Sequence, residues 1–148
     1  MVDSRAKGAR GEYLVRDILR EFTGHQFERV PSSGALEYLK GDLYVPHAKN
    51  KYCIEVKNYE SSPLSDKIFT APKTNNLIKW WTKLERQADQ GDQKPLLFFK
   101  YNRSPVFVVT EEAPKETKHY IFISFLQCFV LLAEEWLDKE KVEFLNGI

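Results

Sequence analysis

The chain has 148 residues, 43% of them hydrophobic and 29% charged, with 7 Gly and 7 Pro. That length suits a single domain around one core, and the composition excludes disordered and collagen-like classes. The net charge of +1 means that overall charge does not by itself mark a nucleic-acid binder. Its distribution is uneven: residues 1–110 carry 18 Lys/Arg against 13 Asp/Glu, and residues 111–148 carry 4 against 8. A basic body can hold a polyanion on one side, although a solvated helical surface gives the same count. Cys53 and Cys128 suit a reducing compartment better than a disulfide framework. No apolar signal region opens the chain. The longest apolar stretch, Tyr120 to Ala133, is interrupted by Ser124 and Gln127 and falls short of the ~20 residues a membrane span needs. These features predict a cytoplasmic protein with no membrane association.

The first predicted element is a helix from about Ser4 to Phe22, with Leu14, Ile18 and Phe22 at four-residue steps and Gly24 as its stop. Gln26 to Pro31 is a short strand candidate, and Ser32-Ser33-Gly34 reads as a loop. Two strands follow, about Asp42 to Val45 and Tyr52 to Tyr59, joined as a hairpin across His47 to Lys51. Leu77, Trp81, Leu84 and Ala88 stripe a second helix over about Thr74 to Ala88. Strands at Leu96 to Tyr101 and Val106 to Thr110 flank a turn at Asn102 to Pro105. The end is read as a strand at His119 to Ile123 and a helix from about Phe125 to Leu137, capped by Ser124. This order predicts an α/β fold, a mixed sheet with helices on its faces. The C-terminal strand and helix at 119–138 belong to the same domain.

Four residues stand out as candidates for chemistry: Glu12, Asp42, Glu55 and Lys57. Side chains alternate across a strand, so in Ile54-Glu55-Val56-Lys57 the two charged residues share one face and the two apolar ones point to the other. Asp42 opens the neighbouring strand of the hairpin, and pairing can bring its carboxylate close to Glu55. Two converging carboxylates repel unless a cation lies between them. Magnesium fits, being hard and preferring oxygen at ~2.0–2.1 Å, and the backbone carbonyl of Val56 is a further candidate ligand. A metal acidifies water and polarises a phosphoryl oxygen, which phosphodiester hydrolysis requires. Lys57 is then placed to orient the water or stabilise the transition state. Glu12 lies ~90° from the centre of the first helix's stripe, where it can reach a second cation or a bound water. An exposed hairpin with alternating charges is the plain alternative.

With these residues in view, the chain resembles the PD-(D/E)XK nuclease superfamily, which includes restriction endonucleases, and within it the archaeal and phage type of Holliday junction resolvase. The resemblance runs over about Arg5 to Thr110. It is carried by Lys7-Gly8-Ala9-Arg10-Gly11-Glu12, by Arg29-Val30-Pro31-Ser32-Ser33-Gly34-Ala35, by Gly41-Asp42-Leu43 and by Cys53-Ile54-Glu55-Val56-Lys57. It implies a restriction-endonuclease-like fold, with Asp42 and Glu55 as metal ligands, Lys57 as the catalytic lysine and Glu12 as an additional acid. Ser32 and Ser33 would lie in a loop beside the active site, near the scissile strand, with Arg29 at its start. Gly41 stands where the superfamily's name has proline, a position that supplies no ligand.

Arg5, Lys7 and Arg10 form a basic patch on the first turns of the helix, suited to phosphate. Trp80 and Trp81 are core candidates, with base stacking as the alternative for Trp80. His25, His47 and His119 show no ligand spacing, and no Gly-rich phosphate loop indicates a nucleotide cofactor. The resulting expectation is a structure-selective endodeoxyribonuclease that cuts four-way DNA junctions with Mg2+, which Mn2+ can replace. It would act as a homodimer, because a two-fold junction needs two active sites. Phe125, Phe129, Leu132 and Trp136 are candidates for the dimer interface, and core packing is their other use. Alternatives are a nicking or repair endonuclease of the same fold, or a non-catalytic DNA-binding protein.

Overall fold

A computed structural model describes residues 3–31 and 39–147. Helix α1 spans Ser4–Thr23, capped by the Asp3 side chain at its start and ended by Gly24 at φ 76°. Strands β1 (Glu28–Arg29), β2 (Leu43–Tyr44) and β3 (Tyr52–Tyr59) follow. A short helix α2 (Lys67–Thr70) and the longer α3 (Asn76–Gln90) then lead into β4 (Lys94–Tyr101) and β5 (Phe107–Thr110). The chain closes with β6 (Ile121–Ile123), β7 (Cys128–Leu132) and α4 (Ala133–Glu140).

The strands form one seven-stranded sheet in the order β1-β2-β3-β4-β5-β7-β6. β3 and β4 pair in parallel over eight residues, and the remaining neighbours are antiparallel. The crossover through α2 and α3 makes the parallel pairing possible, since parallel strands need a long connection. The fold class is therefore the expected one, a mixed sheet flanked by helices.

Strand alternation sorts the core into two layers. Ile54, Val56, Leu96, Phe98, Val108 and Leu131 pack toward α1 and α4, where Val15, Ile18, Leu19 and Trp136 meet them. The intervening residues Cys53, Leu97, Phe99, Val109 and Val130 pack toward Leu77, Trp80, Trp81 and Leu84 of α3. β4 is buried on both faces, which is why Pro95 to Phe99 reads as an unbroken apolar run. Each such fully buried large side chain contributes about 1.5–3 kcal/mol. Trp81 belongs to the core, as the helix stripe suggested, and Trp80, for which base stacking was the alternative, is buried there too.

The C-terminal expectation requires correction. Residues 125–137 do not form one helix and Ser124 caps nothing; Ser124–Gln127 is a turn joining β6 to β7, and the helix begins only at Ala133. Cys128, Val130 and Leu131 are buried and pair with β5 and β6, so the apolar run serves a strand covered on both faces. Period alone cannot separate such a strand from a buried helix. Of the four residues considered for an interface, Trp136 lies in the core, Phe129 is partly buried, and Phe125 and Leu132 are exposed. The hairpin loop is also longer than read, running from Val45 to Lys51. Asn50 pins it by accepting from Val45 N–H at 2.8 Å and donating to Val45 O at 2.9 Å.

Gln127 occupies left-handed backbone at φ 52°. Gln127→Gly should accordingly leave urea stability unchanged or raise it by up to ~1 kcal/mol. Glycine inside a continuous 125–137 helix would instead cost ~1 kcal/mol.

Candidate active site

The geometry starts at the β2–β3 register. Leu43 pairs with Ile54 in an antiparallel ladder, and continuing that register by one residue sets Asp42 opposite Glu55. Asp42 N–H donates to Ile54 O at 2.6 Å, and its carbonyl accepts from Val30 N–H at 2.8 Å. Its backbone is thus stitched to the segments on either side. The preceding Gly41 turns the chain away at φ 86°, and a Cβ there would meet Ile54 O at 2.6 Å. Glycine is required by both conformation and space, which gives a local reason for its presence where the superfamily's name has proline.

Because β2 ends after two residues while β3 continues to Tyr59, the later part of β3 has an open edge. α1 crosses beside it. Between them lies a cavity of about 400 Å³ whose lining includes Lys7, Gly8, Glu12, Asp42 and Glu55 through Glu60. The structure thus brings Glu12, Asp42, Glu55 and Lys57 to one place, with Val56 between the last two. Cys53 is buried in phase with Glu55 and Lys57, and its thiol is pushed up to about 12, by burial first and then by Glu55 and Asp42.

Each acid is held differently. Asp42 Oδ2 accepts from the Val56 backbone N–H at 2.7 Å. Its carboxyl is pushed up to about 7, by burial first and then by the negative charge of Glu55, while the Val56 N–H and Lys57 oppose the shift. Glu55 lies 3.6 Å from Lys57 Nζ. Glu12 accepts from Arg29 Nε at 2.9 Å, and Arg29 also donates to the Tyr13 hydroxyl at 3.2 Å. Among the described residues no three acidic, His or Cys side chains form a ready-made cage. Two carboxylates lining one cavity beside a backbone carbonyl would make an all-oxygen set, which suits a hard divalent ion rather than zinc.

The remaining predicted residues are dispersed. Lys7 lines the cavity and reaches Asn102 Oδ1 at 2.5 Å, whereas Arg5 and Arg10 are solvent-exposed. Arg29 pairs with Glu12 but is not part of the cavity lining; it lines a separate surface hollow with Tyr13 and Arg16. Ser32 and Ser33 lie outside the described residues.

Sequence reading missed Asn58. Its Nδ2 donates to Lys7 O at 3.0 Å, tying β3 to α1. Gly11 packs against it so closely that an added Cβ would stand 2.8 Å from Asn58 Cβ. The buried glycine beside Glu12 was the available signal: it lets the helix approach the strand. Tyr59 was missed as well, and it lines the cavity while packing against Trp80 with ring centroids 4.8 Å apart and planes tilted by 58°.

Two outcomes follow from this packing. Gly11→Ala should destabilise by ~1–3 kcal/mol in urea, because a backbone-borne Cβ of Asn58 cannot move aside cheaply. For Asp42, the folded state holds its proton up to about 7, while an unfolded Asp releases it near ~4. The folded form binds more protons across that window, so in a chelator this group makes stability fall as pH rises through it. Thermal melts should show Asp42→Asn stabilised over wild type at pH 8, with the gap closing toward pH 4. Equal gaps at both pH values would contradict the burial assigned to this carboxyl.

Comparison with known proteins places the chain in a family. Residues 3–137 match the family described as "Phage putative PDDEXK endonuclease". Protein D14 of Escherichia phage T5 is 39% identical over 157 aligned positions, covering 97% of this chain and 98% of that protein. A solved structure of Hjc, a Holliday junction resolvase of Archaeoglobus fulgidus, superimposes with a TM-score of 0.46 at 16% identity, covering 87% of this chain and 91% of that one. None of the described helices is long and apolar enough to cross a membrane. With the family's model spanning both helix α1 and the whole β2–β3 hairpin, this chain belongs to the phage PD-(D/E)XK endonuclease family.

Proposed function

We propose that the chain is a metal-dependent endodeoxyribonuclease that hydrolyses phosphodiester bonds in branched DNA. The observation that carries this reading is the cavity where Asp42, Glu55, Lys57 and Glu12 meet beside the open edge of β3. Asp42 and Glu55 would hold Mg2+, or Mn2+ in its place, with the Val56 carbonyl completing the protein's share of the ligands. Such an ion would supply acidified water and charge neutralisation at a phosphoryl oxygen.

The chain's own residues do the rest. Lys57 projects from the same strand face as Glu55 and lies 3.6 Å from it. Its ammonium can donate to the attacking water or to a non-bridging phosphate oxygen as charge develops there. The Val56 N–H fixes one oxygen of Asp42, which leaves the other carboxylate oxygen to face the ion. Glu12, on the opposite wall, is placed for a second cation or for a water beside the leaving group. Lys7, Arg5, Arg10 and Arg29, with Ser32 and Ser33, are the proposed DNA contacts. They suit recognition of backbone rather than of base sequence.

The four-way junction is the proposed substrate. Its support is the run of motifs from Lys7 to Lys57, in the order and spacing found in junction resolvases. Paired cuts across a two-fold junction imply a homodimer.

The decisive assay compares cleavage of a synthetic four-way junction, a flap and a linear duplex in Mg2+. Wild type should cut the junction in preference, and chelation should stop it. Asp42→Asn should abolish cutting while retaining binding, and Lys57→Ala should lower the rate on the order of 10²–10³-fold. Preference for linear duplex would remove the junction assignment, and undiminished cutting by Asp42→Asn would remove the nuclease site itself.

A further inference from the structure

The loop after β3 presents a feature that the cleavage site does not use. Phe69, on α2, is 78% exposed, whereas the next most exposed large apolar side chain among the described residues, Phe125, is 56% exposed. Its backbone is nevertheless firmly held. Asn75, 6% exposed, clamps the ends of the loop by donating to Pro63 O at 2.9 Å and accepting from Ile78 N–H at 3.1 Å. Ile68 is buried beside Phe69 and anchors α2 to the α3 core layer. Phe69 N–H itself bonds Asp66 O at 3.0 Å. A compact loop closed by its own side chains is a common vehicle for function. Here it holds an aromatic ring out in water.

Charge identifies the partner. From residue 67 to residue 84 the chain has four lysines (Lys67, Lys73, Lys79, Lys83) and no acid, in a protein with 22 basic and 21 acidic residues overall. All four are exposed. Among the described residues none of them forms a salt bridge. Lys79 and Lys83 lie one turn apart on α3, away from its buried stripe. Protein interfaces tend to exclude lysine from their centres. An aromatic ring among lysines is instead the arrangement that stacks on a nucleobase while cations follow the phosphates.

The surface adjoins the cavity. Glu55, Lys57 and Tyr59 are in phase with Cys53, whose face of the sheet carries α3. Tyr59 lines the cavity and packs on Trp80 of α3, and the clamped loop begins three residues beyond Glu60, another lining residue.

We propose that the clamped loop and the outer face of α3 form a DNA-docking surface, on which Phe69 stacks against an unpaired or unstacked base and Lys67, Lys73, Lys79 and Lys83 meet backbone phosphates. The choice of DNA rests on the nuclease reading above; the placement of the contact does not. A strand leaving the cavity on this side would be gripped at its distorted base, which favours branched over continuous duplex DNA.

Binding without cleavage tests it: anisotropy of the full chain in EDTA, with a labelled forked oligonucleotide and a matched linear duplex. Phe69→Ala should weaken fork binding about tenfold while changing duplex binding less than twofold. Phe69→Trp should keep fork affinity and show quenched indole emission on binding. The Lys73→Gln/Lys79→Gln pair should weaken both DNAs and lower the salt slope by about 2. Unchanged fork affinity in Phe69→Ala, with a wild-type melting temperature, overturns the proposal. So does a change in sedimentation that turns a wild-type dimer into a monomer, which would make the ring a subunit contact. Wild type that shows this binding pattern yet never cuts in Mg2+ would sink the nuclease reading and leave the docking surface supported.

Discussion

The pairing of β2 with β3 is the constraint on which the site depends. Two short bonds at Asp42, its N–H to Ile54 O and its carboxylate to Val56 N–H, lock a two-residue strand against an eight-residue one. A side-chain period of two makes register unforgiving, since a slip of one residue sends each side chain to the opposite face. Ile54 and Val56 bury against α1, and that apolar demand holds Glu55 and Lys57 on the other face. The carboxylates therefore meet because the neighbouring aliphatic residues have only one acceptable place to go. Gly41 completes the arrangement by turning the chain out at φ 86°, which ends the ladder and leaves the edge of β3 open.

The third acid arrives by helix packing rather than by strand pairing. Val15, Ile18 and Leu19 hold α1 on the sheet, but they lie beyond the part that faces the cavity. Near the cavity the helix comes close only because Gly11 has no side chain, with Asn58 filling the space and bonding Lys7 O. Glu12 follows directly in sequence, so its reach into the cavity is set by the smallest residue on the helix. The adjacent Gly-Glu pair in the opening motif has a packing explanation independent of any family resemblance.

Much of this was legible from residues alone, and the failures have physical causes. The alternation through Ile54 to Lys57 and the stripe on α3 are strong local signals, because one face of each element is buried and the other is not. Asp42 could be paired with Glu55 because a hairpin turn separates their strands. Asn58 was missed because a single asparagine after Lys57 carries no distinctive period; its role appears only when α1 is laid across it. The C-terminal run from Phe125 was misread because β7 is covered on both faces. A strand without polar alternation looks like a buried helix, and Ser124 looks like a cap. The left-handed Gln127 that breaks the run is a long polar residue, not the glycine or asparagine that normally announces such a turn.

The charges around the cavity single out Asp42 among its three acids. Glu55 has the Lys57 ammonium at 3.6 Å, and Glu12 has the Arg29 guanidinium at 2.9 Å. Asp42 has no such partner among the described residues. It has one backbone N–H, burial disfavours its charge, and it feels the negative charge of both other acids. Its proton is retained to about 7 for that reason. A protein selected for stability alone would place an amide or an apolar residue there, since an uncompensated buried charge costs free energy. A cation reverses the balance, because burial and repulsion both become favourable once the charges have something to surround. The same desolvation that weakens the empty fold would sharpen the grip on a divalent ion, and it concentrates that effect at one carboxylate.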